Sequence, residues 1–411
     1  MSALIARYEA FINPHWSEVL HQLGEQPVFV RAKDEYLYDD SMTPWLDLVG
    51  HYGAAIFGHN RQELKEALFT ALEADIPCVT PLGLNDFSAQ LAIALIERLN
   101  LSGPWRLSTL TTGTEAVEGA IKAALIHTGR SRLLVRRGCF HGSSSLAMHL
   151  TDNELWRQGF EALPCPLDVV YFDDIHQATR ELASGTFAAM LIEPFQAIGG
   201  GVRCSAQDAE QLLDACTASG TVSICDEIFS GLGRCGHYSA MQALGWTVRP
   251  DILLLSKSLT GAFFPSAHLL IRAPIADSIF GRPGCQKILG STFANNALGF
   301  SVALTALALL DRCLADSIAV QRRNAFVQAL HGVAQTVDPP LQVQALGACV
   351  IVEFCDAQTC FFVWHSLFAN QILTTVCSNK PSCLKVLPSL TMHADSYSRF
   401  IDVFSAVVAE C

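Results

Sequence analysis

Charge is scarce in this sequence. Asp, Glu, Lys and Arg together make 16% of its 411 residues, while half of the residues are apolar. The balance is acidic, at a formal net charge of -12, and no long like-charged run appears. Nucleic-acid phosphates and anionic lipid surfaces call for basic footprints, so neither is expected as a partner. Also missing is an uninterrupted apolar stretch of about eighteen residues, the length that crosses a bilayer. The longest candidate, 298–310, is broken by Gly299, Ser301 and Thr305. The opening residues Met1-Ser-Ala-Leu-Ile-Ala-Arg7 lack the basic-then-apolar layout of a secretory signal, which favours a cytoplasmic protein. The 15 cysteines are odd in number, with no Cys-x-x-Cys pair and no histidine at zinc spacing. They read as reduced core residues, and no metal site is expected. Internal repeats and low-complexity tracts are absent as well.

What remains is length and oiliness. A chain of 411 residues can bury a large core and suits one layered unit with a smaller appended domain. So apolar a composition hints that another subunit covers part of the surface, which favours an oligomer. Between 106 and 260, short apolar runs alternate with helical patterns: strands are predicted over 106–110, 133–135, 187–192, 221–224 and 251–255, helices over 115–125 and 207–218. That rhythm predicts βα units and a mostly parallel sheet covered on both faces. In such sheets ligands collect at the carboxyl ends of the strands. Residues 29–48 alternate like a hairpin, and 298–310 begin a helical connector into 311–411. The expected division is an N-terminal segment over 1–48 packing with the small domain, a large cofactor-binding domain over 49–300 and a smaller α/β domain over 301–411.

Each polar cluster of interest falls at a predicted strand end. Thr111-Thr-Gly-Thr-Glu115 opens a helix with Ala116, Val117, Ala120, Ile121, Ala124 and Leu125 on one face. The free amides of that first turn, with the hydroxyls of Thr112 and Thr114, make an anion site; a plain helix cap is the alternative. In Arg137-Gly-Cys-Phe-His-Gly142, glycines bracket an aromatic and permit close backbone approach. Phe140 could stack on one face of a flat ring and Ile228 could cover the other, although each also fits an ordinary core. His141 suits a buried structural role as well as a catalytic one. Asp226 ends the apolar run Val222-Ser-Ile-Cys-Asp226 and needs a matching cation to offset a desolvation cost of roughly several kcal/mol. A protonated pyridine nitrogen or a core arginine would serve. Glu227 and Glu193 are candidates for supporting the strand ends. Lys257 follows Leu253-Leu-Leu255. A desolvated lysine loses basicity and becomes fit to condense with an aldehyde, whereas a solvated strand end would be inert. A lysine and a carboxylate so delivered are what a pyridoxal phosphate enzyme needs to hold its cofactor and keep it electron-poor.

Together, Thr112-Gly-Thr-Glu-Ala116, Phe140-His-Gly142, Glu193-Pro-Phe-Gln196, Asp226-Glu-Ile228 with Gly231-Leu-Gly-Arg234, Pro250-Asp251 and Ser256-Lys257 resemble the class III (ornithine/acetylornithine-type) pyridoxal phosphate aminotransferases. Gly58-His-Asn60, Gly290-Ser-Thr-Phe293 and Leu387-Pro-Ser-Leu390 extend the resemblance over nearly the whole chain. It implies a fold type I α/β homodimer with active sites at the subunit interface, acting on a small-molecule amino donor and a carbonyl acceptor. Pyridoxal 5'-phosphate would be held covalently by Lys257, with Asp226 at its pyridine nitrogen and Phe140 and Ile228 on its faces. Gly113 and Thr114 would bind the phosphate, joined by Thr292 of the partner subunit, and Thr112, His141 and Glu193 would be cofactor-binding residues as well.

Three positions depart from the family. Lys385 stands where users of α-amino acids place an arginine, Ile198 where they place a glutamate, and Phe229 where many have a polar residue. Arginine grips a carboxylate with a two-pronged fork, whereas lysine is a point charge on a flexible stem. The expectation is a more apolar pocket, taking a hydrophobic amine, aldehyde or ketone in one half-reaction and an amino acid donor in the other. Lys385 and Tyr52 are candidate substrate residues, the latter with Phe57 at the entrance. Decarboxylation, an amino shift, or a cofactor-binding module without turnover are the alternative readings, since the cofactor residues alone do not separate them.

Overall fold

Seven strands form the central sheet: β1 (Trp105–Leu110), β2 (Arg132–Arg136), β3 (Asp168–Phe172), β4 (Phe187–Ile192), β5 (Val222–Asp226), β6 (Ile252–Leu255) and β7 (Ala267–Arg272). The computed structural model describes residues 2–22, 24, 27–80, 82–160, 165 and 167–411. The strands lie in the order β1-β7-β6-β5-β4-β2-β3. Pairing is parallel from β6 through β3, and β7 runs antiparallel to both its neighbours. Residues 256–266 explain the exception. A parallel return needs a crossover of about a dozen residues, usually helical, and this stretch holds only a short 3-10 turn, Lys257–Thr260. The alternation of runs and helices missed β7 for that reason, and missed β3 because it is a half-buried edge strand.

The central strands are buried on both faces, as their unbroken apolar runs require; β4, Phe-Ala-Ala-Met-Leu-Ile, is buried throughout. Helix α1 (Gly113–Thr128) packs on the sheet and is delimited by its own sequence. A capping box of Thr112 and Glu115 starts it and Gly129, at φ 68, ends it. Helix α2 (Ala206–Ser219) repeats the device with Ser205, Asp208 and Gly220. Helix α3 (Ala297–Ala315) is long and apolar enough by composition to span a membrane, but most of it is buried inside the protein. It packs against the helices Gln62–Glu73 and Asp86–Arg98 and supplies the large core as far as Cys313.

Beyond it lies a smaller antiparallel sheet of β8 (Gln342–Leu346), β9 (Cys349–Glu353), β10 (Thr375–Cys377) and β11 (Lys380–Val386), ordered β8-β9-β11-β10. The N-terminal segment forms three short strands, Phe29–Lys33, Tyr36–Asp39 and Pro44–Asp47. The last of these pairs with Ile372–Leu373, and Leu46 and Leu48 join the apolar cluster of Val350, Phe400 and Phe404. The whole is an α/β fold with a mostly parallel sheet and a smaller α/β unit at its C-terminal side.

Candidate active site

The strand ends converge. Asp226 is the last residue of β5, Glu193 follows β4 directly, Lys257 follows β6, and Phe140 and His141 lie on the loop leaving β2. These residues share a cavity of about 240 Å³ with Gly113, Thr114 and Ile228. Gly142, Ser143, Ala197, Ile198, Phe229 and Ser256 complete the lining. Ser256 belongs to the motif that ends in Lys257, whereas Ser143 only follows Phe140-His-Gly142, and that adjacency was its one signal.

Asp226 finds its cation inside the protein. Its Oδ2 lies 2.8 Å from Nδ1 of His141, while its Oδ1 accepts the Ile228 amide at 3.0 Å. Both side chains are buried. Burial works against a charged imidazole, but the neighbouring Cys139 sulphur and the Asp226 carboxylate outweigh it, so His141 holds its proton well above its ordinary range. Its main-chain N–H donates to Thr151 Oγ1 at 3.0 Å, which fixes the loop, and its Nε2 has no hydrogen-bond partner among the described residues. Glu193 accepts the Phe140 amide at 3.1 Å. Burial pushes its carboxyl up to about 7 against the pull of His141. Glu227 points elsewhere, accepting the amides of Ala240 and Met241 and the Ser230 hydroxyl, and so serves the next helix.

Lys257 sits at φ 39, in left-handed space that costs a non-glycine residue about 1–3 kcal/mol. Its neighbours hold it there: Ser256 Oγ donates to the Ser266 carbonyl at 2.7 Å and Ser258 Oγ to the Gly53 carbonyl at 3.3 Å. Burial, reinforced by Lys385, lowers the Lys257 amine to about 8. Its Nζ lies 4.7 Å from the centre of the Phe229 ring.

At the other end, the first turn of α1 divides its duties. Thr112 Oγ1 accepts the Glu115 amide at 3.3 Å, and Glu115 in turn accepts the amides of Thr111 and Thr112. The Thr112 hydroxyl is therefore engaged as a cap and does not line the cavity. The amides of Gly113 and Thr114 meet no acceptor among the described residues. Thr114 Oγ1 contacts Ser144 Oγ, which donates to Glu118 at 2.6 Å. Space is tight: a Cβ on Gly142 would stand 2.5 Å from Thr114 Oγ1.

Thr292, Tyr52 and Lys385 also lie outside that lining. Thr292 is exposed and lines a separate hollow of about 890 Å³; beside it, Ser291 Oγ bonds Thr111 Oγ1 at 2.8 Å. Tyr52, 69% exposed, rides on a turn in which Gly50, His51, Tyr52 and Gly53 all adopt positive φ. Phe57 is a core residue. Lys385, on β11, is buried with its Nζ 5.5 Å from the Phe229 ring centre. Arg234, which the sequence offered only as part of a motif, is fully buried and donates to the carbonyls of Gly53, Ala348 and Pro388, tying the turn to the C-terminal part. Among the described residues no cluster of His, Cys, Asp and Glu is placed to hold a metal ion.

The family described as aminotransferase class-III matches residues 21–408. Aminotransferase PigE of Serratia sp. is 27% identical over 98% of this chain, which spans 53% of that protein, about half its length. Acetylornithine aminotransferase of Methanocaldococcus jannaschii is 29% identical, covering 94% of this chain and 95% of its own. Among solved structures, an aminotransferase from Bacillus anthracis superposes with a TM-score of 0.87 at 18% identity, covering 100% of this chain and 98% of its own. That likeness establishes the shared fold.

Proposed function

The chain belongs to the class III aminotransferases, a family dependent on pyridoxal 5'-phosphate, and we propose that it moves an amino group from an amino donor to a carbonyl acceptor, one of the two substrates being hydrophobic. The observation that carries this reading is the lowered amine of Lys257 opening onto the same cavity as the Asp226–His141 pair. Three features support the fit of the cofactor. The unengaged amides of Gly113 and Thr114 suit a phosphate at a helix start. A buried carboxylate suits a protonated pyridine nitrogen, and a buried amine of reduced basicity suits an aldehyde.

When bound, the cofactor supplies an aldehyde that condenses with amines and an aromatic ring that accepts electrons. Lys257 Nζ would hold it, and the free amine would take a proton from the substrate carbon and deliver it again. Asp226, oriented by His141 and the Ile228 amide, would present its carboxylate to the pyridine nitrogen. Phe140 and Ile228, both on the cavity lining, would cover the ring, while Glu193 steadies the Phe140 loop. Thr112 starts the helix whose amides would bind the phosphate.

Lys385 and Tyr52 are assigned to the substrate side, where Phe229, Ile198 and Ala197 make the wall apolar. A homodimer is favoured by the exposed apolar side chains of Leu82, Leu84 and Phe293, with Thr292 of the partner subunit completing the phosphate site. A cytoplasmic location and the division at 1–48, 49–300 and 301–411 belong to the same proposal, with α3 crossing the last boundary.

The test is to add pyridoxal phosphate, reduce with borohydride and map the labelled peptide, then screen amino donors against pyruvate and 2-oxoglutarate. Label at Lys257 and amino transfer with a hydrophobic partner are expected. Label elsewhere, or carbon dioxide release in place of transfer, would overturn the reading.

A further inference from the structure

Two amines share one aromatic ring. Lys257 Nζ stands 4.7 Å and Lys385 Nζ 5.5 Å from the ring centre of Phe229, itself almost wholly buried. The lysines arrive from different parts of the fold: Lys257 from the end of β6, Lys385 from β11, paired opposite Ile351 and Thr375. Only 5% of Lys385 is exposed, and no carboxylate stands within ion-pair distance of it among the described residues. Lys380, on the same strand, shows the ordinary solution, with Glu353 at 2.6 Å. The negative face of one ring can offset one buried ammonium; a second one so close meets repulsion in a medium that screens poorly.

The remaining charged and titratable neighbours do not remove that conflict. Lys257 also faces Asp226, Glu193 and Arg234. Asp226 is engaged with His141, and Glu193 is itself pushed up to about 7, so neither is a free counter-charge. Lys385 faces the thiols of Cys349 on β9 and Cys377 on β10, both driven upward by burial and hence neutral. We propose that Lys385 is a positioning residue, holding the cation place on Phe229 so that Lys257 stands beside it as a neutral amine, able to act as nucleophile and base. The proposal rests on Lys257 being the reactive amine of the reading above. It gives the unusual pair Phe229 and Lys385 a joint role that a lysine merely waiting for a substrate carboxylate would not need.

The test uses the full chain without cofactor and reads carbamylation of Lys257 by cyanate as a function of pH, through peptide mass spectrometry. The unsubstituted protein should show a midpoint near 8. Lys385→Met should raise it by roughly one pH unit, the size of a charge interaction across a partly screened interior, and Lys385→Arg should restore it. An unmoved midpoint in Lys385→Met, or an arginine that behaves like methionine, would overturn the proposal. Should Lys385→Met not fold, Lys385→Gln takes its place in the same measurement, and an unmoved Lys257 midpoint there sinks the idea. Borohydride mapping keeps the two readings apart, since label on another lysine would fail the functional reading while leaving the Lys257 midpoint to be judged by itself.

Discussion

The two walls of the cavity solve the same problem in opposite ways. Against one wall the acids have partners: Asp226 has His141 and an amide, Glu193 has the Phe140 amide, and Glu115 closes the capping box at the helix start. Against the other stand Phe229, Ile198 and Ala197, with Lys385 behind them and no acid to meet it. A matched wall is rigid and suits one permanent occupant, because removing any member strands another in a dry site. The unmatched wall leaves its one buried cation without an acid to hold it, and it carries the proposed substrate side. Arg234 sharpens the contrast. Buried as well and equally without an acid, it spends its two terminal nitrogens on three backbone carbonyls, and so it braces the fold.

The largest effect should come from the amine between the walls. Lys257→Ala should cut amino transfer by roughly a thousandfold or more, as for loss of a general base, and abolish the borohydride-trapped adduct; steady-state rates and peptide mapping check both. Next comes the matched wall. Asp226→Asn should cost on the order of a hundredfold in turnover while cofactor is still bound. It should also change stability against pH. The folded pKa of His141 lies above its ordinary 6.5, so its pairing stabilises the protein fully below that pH and fades as pH rises through the raised value. Thermal unfolding scans should show that slope in the unsubstituted protein and its loss in Asp226→Asn. The unmatched wall should discriminate more mildly: glutamate should be at least about tenfold worse in kcat/KM than a hydrophobic amine, since a point charge replaces the fork of an arginine. Tight, saturable glutamate turnover would show that Lys385 suffices. The smallest effect concerns Thr112→Ala, which should lose about 1 kcal/mol of stability in urea unfolding as a cap does. A fall in cofactor affinity beyond that would return its hydroxyl to the phosphate site.

Much of this was legible because it is local. The capping box of Thr112 and Glu115, the buried runs of β4 to β6 and the polar residue closing each run are patterns of neighbours in the chain. The partner of Asp226 was not legible: His141 lies 85 residues away, and a core arginine fitted the same local pattern. Nor was the antiparallel turn-back of β7, which depends on a loop too short for a crossover. The left-handed run from Gly50 to Gly53 contains two non-glycine residues that local preference disfavours. It is held by distant donors, Arg234 and Ser258, reaching the Gly53 carbonyl.

The sequence by itself determined the buried central strands, the capped helices, the strand-end chemistry and the family, because period, capping and burial preference act over a few residues. Tertiary structure alone decided which charges meet and which stay apart. A pairing such as His141 with Asp226, or a crowding such as Lys257 with Lys385 on Phe229, exists only once distant segments share one poorly screened interior.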